Sequence, residues 1–309
     1  MTSAKVIADS VNQWGQRLTT MEVKMHRFIL AELNTHRVFS RNSASSRAIP
    51  FGKLYNRIME DPAYPVHWGE EQKGMQSGQR LGATDELICV EAWKEARDSA
   101  AMCASKLNDL GLHKSLVNRI IEPFMWHTAI ISATEWDNFF WQRCDEAAQP
   151  EMKALADRMF VEYAYSTPTA LAYGEWHLPY IKPQDFVDAR DMEDSLPMLE
   201  RNQPQPILTI LKDVSVARCA RVSYLNHDGS RDIQVDYALA QKLKKGMHWS
   251  PFEHVATPAG GSEGYAHERA GSGTQDWYGN FHGWKQYRKF FRNENRTEPF
   301  KTGGENGPV

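Results

Sequence analysis

Basic, hydroxyl and amide side chains are concentrated in residues 36–47, directly after an apolar run. The basic residues are arginines, whose forked donors suit phosphate, and the side chains between them can add neutral hydrogen bonds. These residues are Arg37, Arg41 and Arg47, with Ser40, Asn42, Ser43, Ser45 and Ser46. Their combination predicts an anion-binding turn, although a generic polar loop would have a similar composition.

The apolar run before this turn predicts how it is placed. Between Thr19 and Leu33, large apolar residues are spread among polar ones. This pattern favours a half-buried strand that delivers the turn to a surface cleft.

The spacing of these residues resembles the signature of flavin-dependent thymidylate synthases, which is Arg-His-Arg, seven residues, Ser, any residue and Arg. The matching residues are Thr35-His36-Arg37, then Ser45 and Arg47. Two positions depart from the family pattern, because Thr35 replaces the first arginine and Ser43 replaces a frequent acidic residue. The resemblance implies an α+β fold with an antiparallel sheet and packed helices. It also implies FAD contacts from His36 and Arg37, and nucleotide contacts from Ser45 and Arg47.

A second arginine matches the family at a distant point of the chain. Arg119 lies in Asn118-Arg119-Ile120-Ile121-Glu122-Pro123, and by residue type alone it is typical of a solvated helix position. Family members have an arginine, two apolar residues, another residue and proline at this place. The resemblance implies that Arg119 and Arg47 bind the nucleotide phosphate together.

Arg143 is the third matched arginine and follows a predicted aromatic helix. A cation in a final helical turn also complements the helix dipole. The resemblance implies that Arg143 lies against the pyrimidine and that Asn138, five residues earlier, lies near flavin. Addition of a nucleophile to C6 of uracil pushes negative charge onto the ring, which a fixed guanidinium can stabilise.

Two further segments resemble the part of the family that normally precedes the signature. They are residues 217–224 and residues 250–254, in which the resemblance implies that Ser223 and His254 contact flavin. Because both follow the signature in this chain, we expect a circularly permuted arrangement. The resemblance covers residues 19–165 and 207–258 in pieces.

The permutation leads to a predicted organisation of the whole chain. Residues 1–181 form the signature loop and helical core of the catalytic domain, 182–206 form an acidic connector, and 207–309 form a block that completes the same domain. Within that block, 259–276 is expected to be a mobile loop and 302–309 a frayed tail.

Periodicity and terminal signals predict the main helices and one long loop. The helices cover residues 50–60, 84–110, 115–122, a stretch after a capping box at 134–137, 150–163, 207–224 and 232–246. Residues 61–79 are expected to form a loop on the substrate side.

Composition limits the class of protein. The chain has 309 residues, 41% of them apolar, which is enough for one large domain or two smaller ones. Its net charge of -3 gives no broad attraction to nucleic acid. Four cysteines without a Cys-x-x-Cys pair, and the lack of an apolar signal core, favour a reducing cytoplasm. The sequence contains no apolar run of about 18 residues, so a membrane-spanning helix is not expected.

Other chemistries fit the sequence less well. Ser45 lacks the Gly-x-Ser-x-Gly context of a nucleophile. The spacing of His248, Glu253 and His254 matches neither His-Glu-x-x-His nor a zinc finger, so no metal is expected. Cys219 could act as a nucleophile, but its apolar helical setting favours burial.

The resemblance implies an enzyme that methylates dUMP to dTMP, with methylenetetrahydrofolate as carbon donor and NADPH-reduced FAD as hydride source. It also implies a homotetramer with sites shared between subunits. A related enzyme could act on another pyrimidine deoxynucleotide such as dCMP, or transfer a hydroxymethyl group. A nucleic-acid-binding module and a catalytically inactive relative are the more distant alternatives.

Overall fold

Strands from the first 170 residues of the chain build the sheet that carries the signature. The computed structural model describes residues 1–193, 205–222, 232–260, 279–291 and 293–295. Within these residues five strands form one sheet in the order β3-β4-β2-β1-β5. The strands are β1 (Ser3–Val11), β2 (Arg17–His26), β3 (Ser40–Ser43), β4 (Trp126–Ala133) and β5 (Thr169–Ala170). All neighbours are antiparallel except the short β1–β5 pair.

Helices surround this sheet, which confirms the predicted α+β class. They are α1 (Leu30–Leu33), α2 (Phe51–Glu60), α3 (Ala83–Asp109), α4 (Lys114–Ile121), α5 (Asp137–Arg143), α6 (Pro150–Tyr165), α7 (Pro183–Glu193), α8 (Pro206–Arg221) and α9 (Ile233–Lys245). Single 3-10 turns cover Arg27–Ile29, Glu122–Phe124, Ser250–Glu253 and Tyr287–Phe290. A second, two-stranded sheet pairs β6 (Ala256–Pro258) with β7 (Trp284–Gln286).

The main sheet is covered on both faces, as the alternating direction of the side chains along β4 shows. Ala129 and Ile131 point to one face and pack with residues of α5 and α6. Ile130 points to the other face and packs against Cys219 of α8. The sheet therefore holds the signature between a layer from the first half of the chain and a layer from residues 206–258.

The strand predicted for residues 19–33 is shorter than expected. β2 ends at His26, and the chain continues as a 3-10 turn and α1. The reason is that the spacing of buried residues changes from that of a strand to that of a helix, since Ile29 and Leu33 are four residues apart and both are fully buried. The prediction was correct for the strand and wrong for its last seven residues.

The segment predicted as an acidic connector begins with a packed helix. Apolar residues of α7 pack against α8, and the carboxylate of Asp185 accepts two hydrogen bonds of 2.7 Å from Arg218. Arg218 also pairs with Asp236 of α9 at 2.9 Å. Acidic residues that looked like linker composition thus include buried ion-pair partners, while 194–204 lies outside the described residues.

The capping box predicted at 134–137 was wrong. No side chain caps α5, because Thr134 Oγ1 instead accepts the backbone N–H of His282 at 3.0 Å. On α3, Leu87 and Ile88 are exposed. The mobile loop expected at 259–276, apart from its first two residues, and the tail at 302–309 lie outside the described residues.

Candidate functional site

The signature segment, residues 35–47, is not a single turn, because a turn leads into the edge strand β3 and a second turn begins at Ser46. Ser40 to Ser43 pair with β4, with Ser40 opposite Ser132. Arg41 is turned inward, where its Nη1 donates to the carbonyls of Leu33 at 3.1 Å and His36 at 2.8 Å. Arg41 therefore holds the backbone, and the arginines left on the surface of this segment are Arg37 and Arg47.

Asn118 joins the signature segment to α4. Its side chain is fully buried, and Nδ2 donates to the carbonyl of Ser46 at 2.7 Å and to that of Ile49 at 3.0 Å. These bonds hold the end of the signature, which contains Ser45 and Arg47, against the helix that carries Arg119. Ser45 is itself half-buried.

Glu122 connects the same two segments through its side chain. The carboxylate accepts a hydrogen bond from Ser46 Oγ and pairs with Arg119 at 2.8 Å and Arg27 at 3.2 Å. The Arg119 side chain remains 48% exposed. Sequence reasoning missed Glu122 as a partner, although its position three residues after Arg119 on a helix could have indicated it.

The end of α5 lies beside the start of the signature. Arg143 is half-buried, and its Nε donates to Nε2 of His36 at 2.9 Å. Asn138 is exposed on the same helix, and its Oδ1 accepts from Gln142 at 3.2 Å. The structure thus brings His36 and Arg143 into direct contact, with Asn138 on the surface one and a half turns before Arg143.

His254 belongs to a buried hydrogen-bond chain that crosses three strands. Its Nδ1 bonds Ser132 Oγ at 2.8 Å, Ser132 bonds Thr20 at 2.6 Å, and Thr20 bonds Nε2 of His177 at 2.8 Å. Nδ1 of His177 bonds Ser10 at 2.8 Å. Burial lowers the pKa of both His177 and His254 to about 3. In the described residues, Nε2 of His254 is buried without a hydrogen-bond partner.

The sequence did not predict this chain of hydrogen bonds, because Ser10, Thr20, Ser132 and His177 belong to no recognised pattern. His254 was predicted to contact flavin, yet it is fully buried within this single chain. The other predicted flavin contact of that region, Ser223, lies outside the described residues.

Residues 206–258 nevertheless pack directly on the signature strand. Nδ2 of Asn42 donates to the carbonyl of Cys219 at 2.7 Å, and the Ser250–Glu253 turn packs on β3. Glu253 in turn pairs with Arg288. Segments that are more than 170 positions apart in the chain are therefore neighbours at the site.

A cavity of about 970 Å³ lies between the loop before α3 and the start of α6. Its lining includes the aromatic residues Phe28 and Trp93 and the polar residues Gln149 and Glu151. Oε1 of Glu151 accepts the N–H of Val66 at 2.9 Å, which fixes the loop to α6. Whether the 61–79 loop faces substrate stays a prediction, but it does line an open cavity.

Cys219 is buried on α8, and burial raises the pKa of its thiol, so it is poorly suited to nucleophilic attack. In the part of the chain that the structure describes, no group of three or more His, Cys, Asp or Glu residues could hold a metal ion. Among the same residues, every helix is too short or too polar to cross a bilayer.

The family model described as thymidylate synthase complementing protein matches residues 16–169, about half of the chain. The match includes the signature segment, Arg119, Asn138 and Arg143. Over this part of its length the chain belongs to that family, and it is an enzyme of the thymidylate synthase type.

Solved structures with similarity to the chain include a UMP/dUMP methylase, PolB, from Streptomyces cacaoi. With 5-Br UMP bound, that structure is 13% identical, covers 53% of this chain and 89% of its own, and has a TM-score of 0.43. The form with 5-Br dUMP is 12% identical, with 53% and 90% coverage and the same TM-score. No curated protein matches the chain.

Proposed function

We propose that the protein is an FAD-dependent thymidylate synthase that converts dUMP to dTMP, using methylenetetrahydrofolate as carbon donor and NADPH as reductant. The observation that carries the proposal is the joining of two distant family segments. Asn118 bonds the backbone at Ser46, and Glu122 links Ser46 to Arg119. Family membership over residues 16–169 supports the same conclusion.

In this proposal the nucleotide is anchored by its phosphate. Arg47 is exposed, and Arg119 keeps about half of its side chain in solvent, so both guanidinium groups can reach an anion. Ser45 adds a neutral hydrogen bond beside them. Glu122 limits the freedom of Arg119 without covering it, which is an arrangement suited to holding a forked donor in place.

Arg143 would act on the base. Its Nε is engaged by His36, which leaves the two terminal nitrogens of the guanidinium to face a ligand. Those donors would stabilise the negative charge that develops on the uracil ring oxygens and nitrogen.

The donor set around His36 and Asn138 fits a flavin nucleotide. The exposed Arg37 can pair with a pyrophosphate, while the exposed amide of Asn138 and the neutral imidazole of His36 can bond the polar edge of a planar ring. When bound, FAD supplies the hydride for the reaction. These residues would hold it beside Arg143.

We also propose that the chain is circularly permuted, with residues 207–258 taking the place of the usual N-terminal part. The packing of this block on β3 supports the proposal, since Asn42 bonds the carbonyl of Cys219. Ser223 and His254 would then contribute to the flavin side. Because His254 is fully buried in one chain, its free Nε2 would reach a ligand only where that ligand enters between packed layers.

The proposed assembly is a homotetramer that shares its sites and works in the cytoplasm on a small pyrimidine nucleotide. Large apolar side chains exposed along α3 support contact between subunits. They are Leu87, Ile88 and Met102. The net charge of -3 disfavours a nucleic-acid partner.

The absorbance spectrum of the protein purified without added cofactor tests this function. We expect a visible flavin band that bleaches when NADPH is added and returns in air. Parallel incubations with dUMP and dCMP would identify the preferred base. A colourless protein that does not take up FAD on reconstitution would contradict the proposal.

A further inference from the structure

His36 and Arg143 form a contact whose direction is fixed by chemistry. Nε of Arg143 lies 2.9 Å from Nε2 of His36. Arginine carries only donors, so Nε2 must present its lone pair. In a neutral imidazole the proton is then on Nδ1, and the tautomer of His36 follows from its partner.

The imidazole is held firmly enough to position another group. Its ring stacks on Phe39 at 5.7 Å between centroids and meets the edge of Phe139 at 4.9 Å. The backbone carbonyl of His36 accepts a hydrogen bond of 2.8 Å from Nη1 of Arg41. Ring and backbone of His36 are therefore both fixed, and its side chain is buried.

The surrounding charges keep this ring an acceptor. Burial, together with the guanidinium groups of Arg143 and Arg41, lowers the pKa of His36 to about 4. A protonated ring would place a third positive charge among them and remove the lone pair that Arg143 uses.

We propose that His36 is a positioning residue whose Nε2 lone pair fixes the Arg143 guanidinium toward the nucleotide base, so that the signature acts on the substrate as well as on flavin. The proposal rests on the proposed function for its catalytic part. Its structural part, the bond and the tautomer, holds in the protein without any ligand. The two parts can therefore fail separately.

The tautomer is tested by a long-range ¹H–¹⁵N spectrum of histidine-labelled protein, with His36→Gln used to assign the signals. We expect Nδ1 of His36 to carry the proton, Nε2 to carry a lone pair, and no titration above about pH 5. A proton on Nε2, or titration near the ordinary histidine value, would overturn the proposal whatever reaction the enzyme performs.

The role in turnover is tested with two replacements. His36→Gln offers a carbonyl oxygen that can accept from Arg143, whereas His36→Phe keeps the aromatic packing and removes the acceptor. We expect His36→Phe to lower kcat by about 10- to 100-fold, as for loss of one hydrogen bond to a charged group, with FAD retained. His36→Gln should recover most of that loss. The exposed His248→Gln, on the turn after α9, is the matched control.

A double variant separates positioning from a structural effect. In the Arg143→Ala background, His36→Phe should cause little further loss of kcat, because the group it positions is gone. Additive losses, loss of FAD in place of turnover, or full activity of His36→Phe would each contradict the proposal. Absence of thymidylate synthesis in the unmodified enzyme would refute the proposed function. The ¹H–¹⁵N spectrum would then decide the structural part of the proposal by itself.

Discussion

Replacement of Arg119 by glutamine is expected to weaken binding of dUMP far more than binding of FAD. Arg119 lies at the C-terminal end of α4 with 48% of its side chain exposed, and its partner Glu122 keeps two other donors, Ser46 and Arg27. The variant should therefore fold, since nothing is left buried and unpaired around Glu122. Exposed ion pairs of this kind contribute about 1 kcal/mol or less to stability.

The effect on the nucleotide should be larger. A hydrogen bond to a charged group contributes about 1.5–3 kcal/mol, and each 1.4 kcal/mol is a factor of about ten in Kd. Loss of the Arg119 contact to a phosphate therefore predicts about a 10- to 150-fold rise in Kd for dUMP. The effect on deoxyuridine, which lacks the phosphate, should be small.

Titration calorimetry of the flavin-loaded enzyme measures both affinities. Arg80→Gln is the matched control, because Arg80 is a similarly exposed arginine paired with a nearby glutamate, Glu86, away from the signature. It should bind dUMP normally. Equal weakening of dUMP and FAD by Arg119→Gln, or equal effects of the two arginine variants, would refute the phosphate assignment.

Three further predictions concern stability. His177 and His254 have a pKa of about 3 when folded and near 6.5 when unfolded, so only the unfolded chain takes up their protons as pH falls below about 6.5. Each of these histidines should then lower the free energy of unfolding by about 1.4 kcal/mol for each unit that the pH falls, down to about pH 3. The urea midpoint should therefore fall less steeply with decreasing pH in His254→Gln than in the unmodified protein. Arg218→Met removes the buried guanidinium that pairs with Asp185 and Asp236, although Asp236 keeps its pair with Arg221. It should lower the free energy of unfolding by about 3–5 kcal/mol, measured by urea denaturation at neutral pH, while a loss below about 1 kcal/mol would exclude a role for the network. Asn118→Ala frees two buried carbonyls and should cost about 2–4 kcal/mol and also weaken dUMP binding; unchanged stability would contradict the role assigned to this amide.

Local signals in the sequence predicted most helices of the fold. α6 begins at Pro150 as its first-turn proline indicates, and α9 begins after Asp232, whose side chain caps two backbone N–H groups. The packing of the acidic segment after residue 182 was not predicted, because composition cannot distinguish a solvated aspartate from Asp185, which pairs with Arg218, 33 residues further along the chain.

Site residues were predictable as types, but their partners were not. Residue spacing and family resemblance identified Arg119 and Arg143, whereas the roles of Glu122 and His36 as their partners depend on tertiary packing. Arg41 shows the converse, since it belongs to the same basic cluster as Arg37 but bonds backbone carbonyls instead of facing solvent. Charge and spacing do not reveal which way a side chain on an edge strand points.

The proposed conversion of dUMP to dTMP can be tested directly by the mass of the nucleotide product. The purified enzyme would be incubated with dUMP, NADPH, FAD and methylenetetrahydrofolate labelled with ¹³C at the methylene carbon, and the nucleotide examined by mass spectrometry. We expect dTMP with one ¹³C in its new methyl group, formed only when both FAD and NADPH are present. Unchanged dUMP from a folded, flavin-loaded enzyme, or product formed equally well without flavin, would contradict the proposed function.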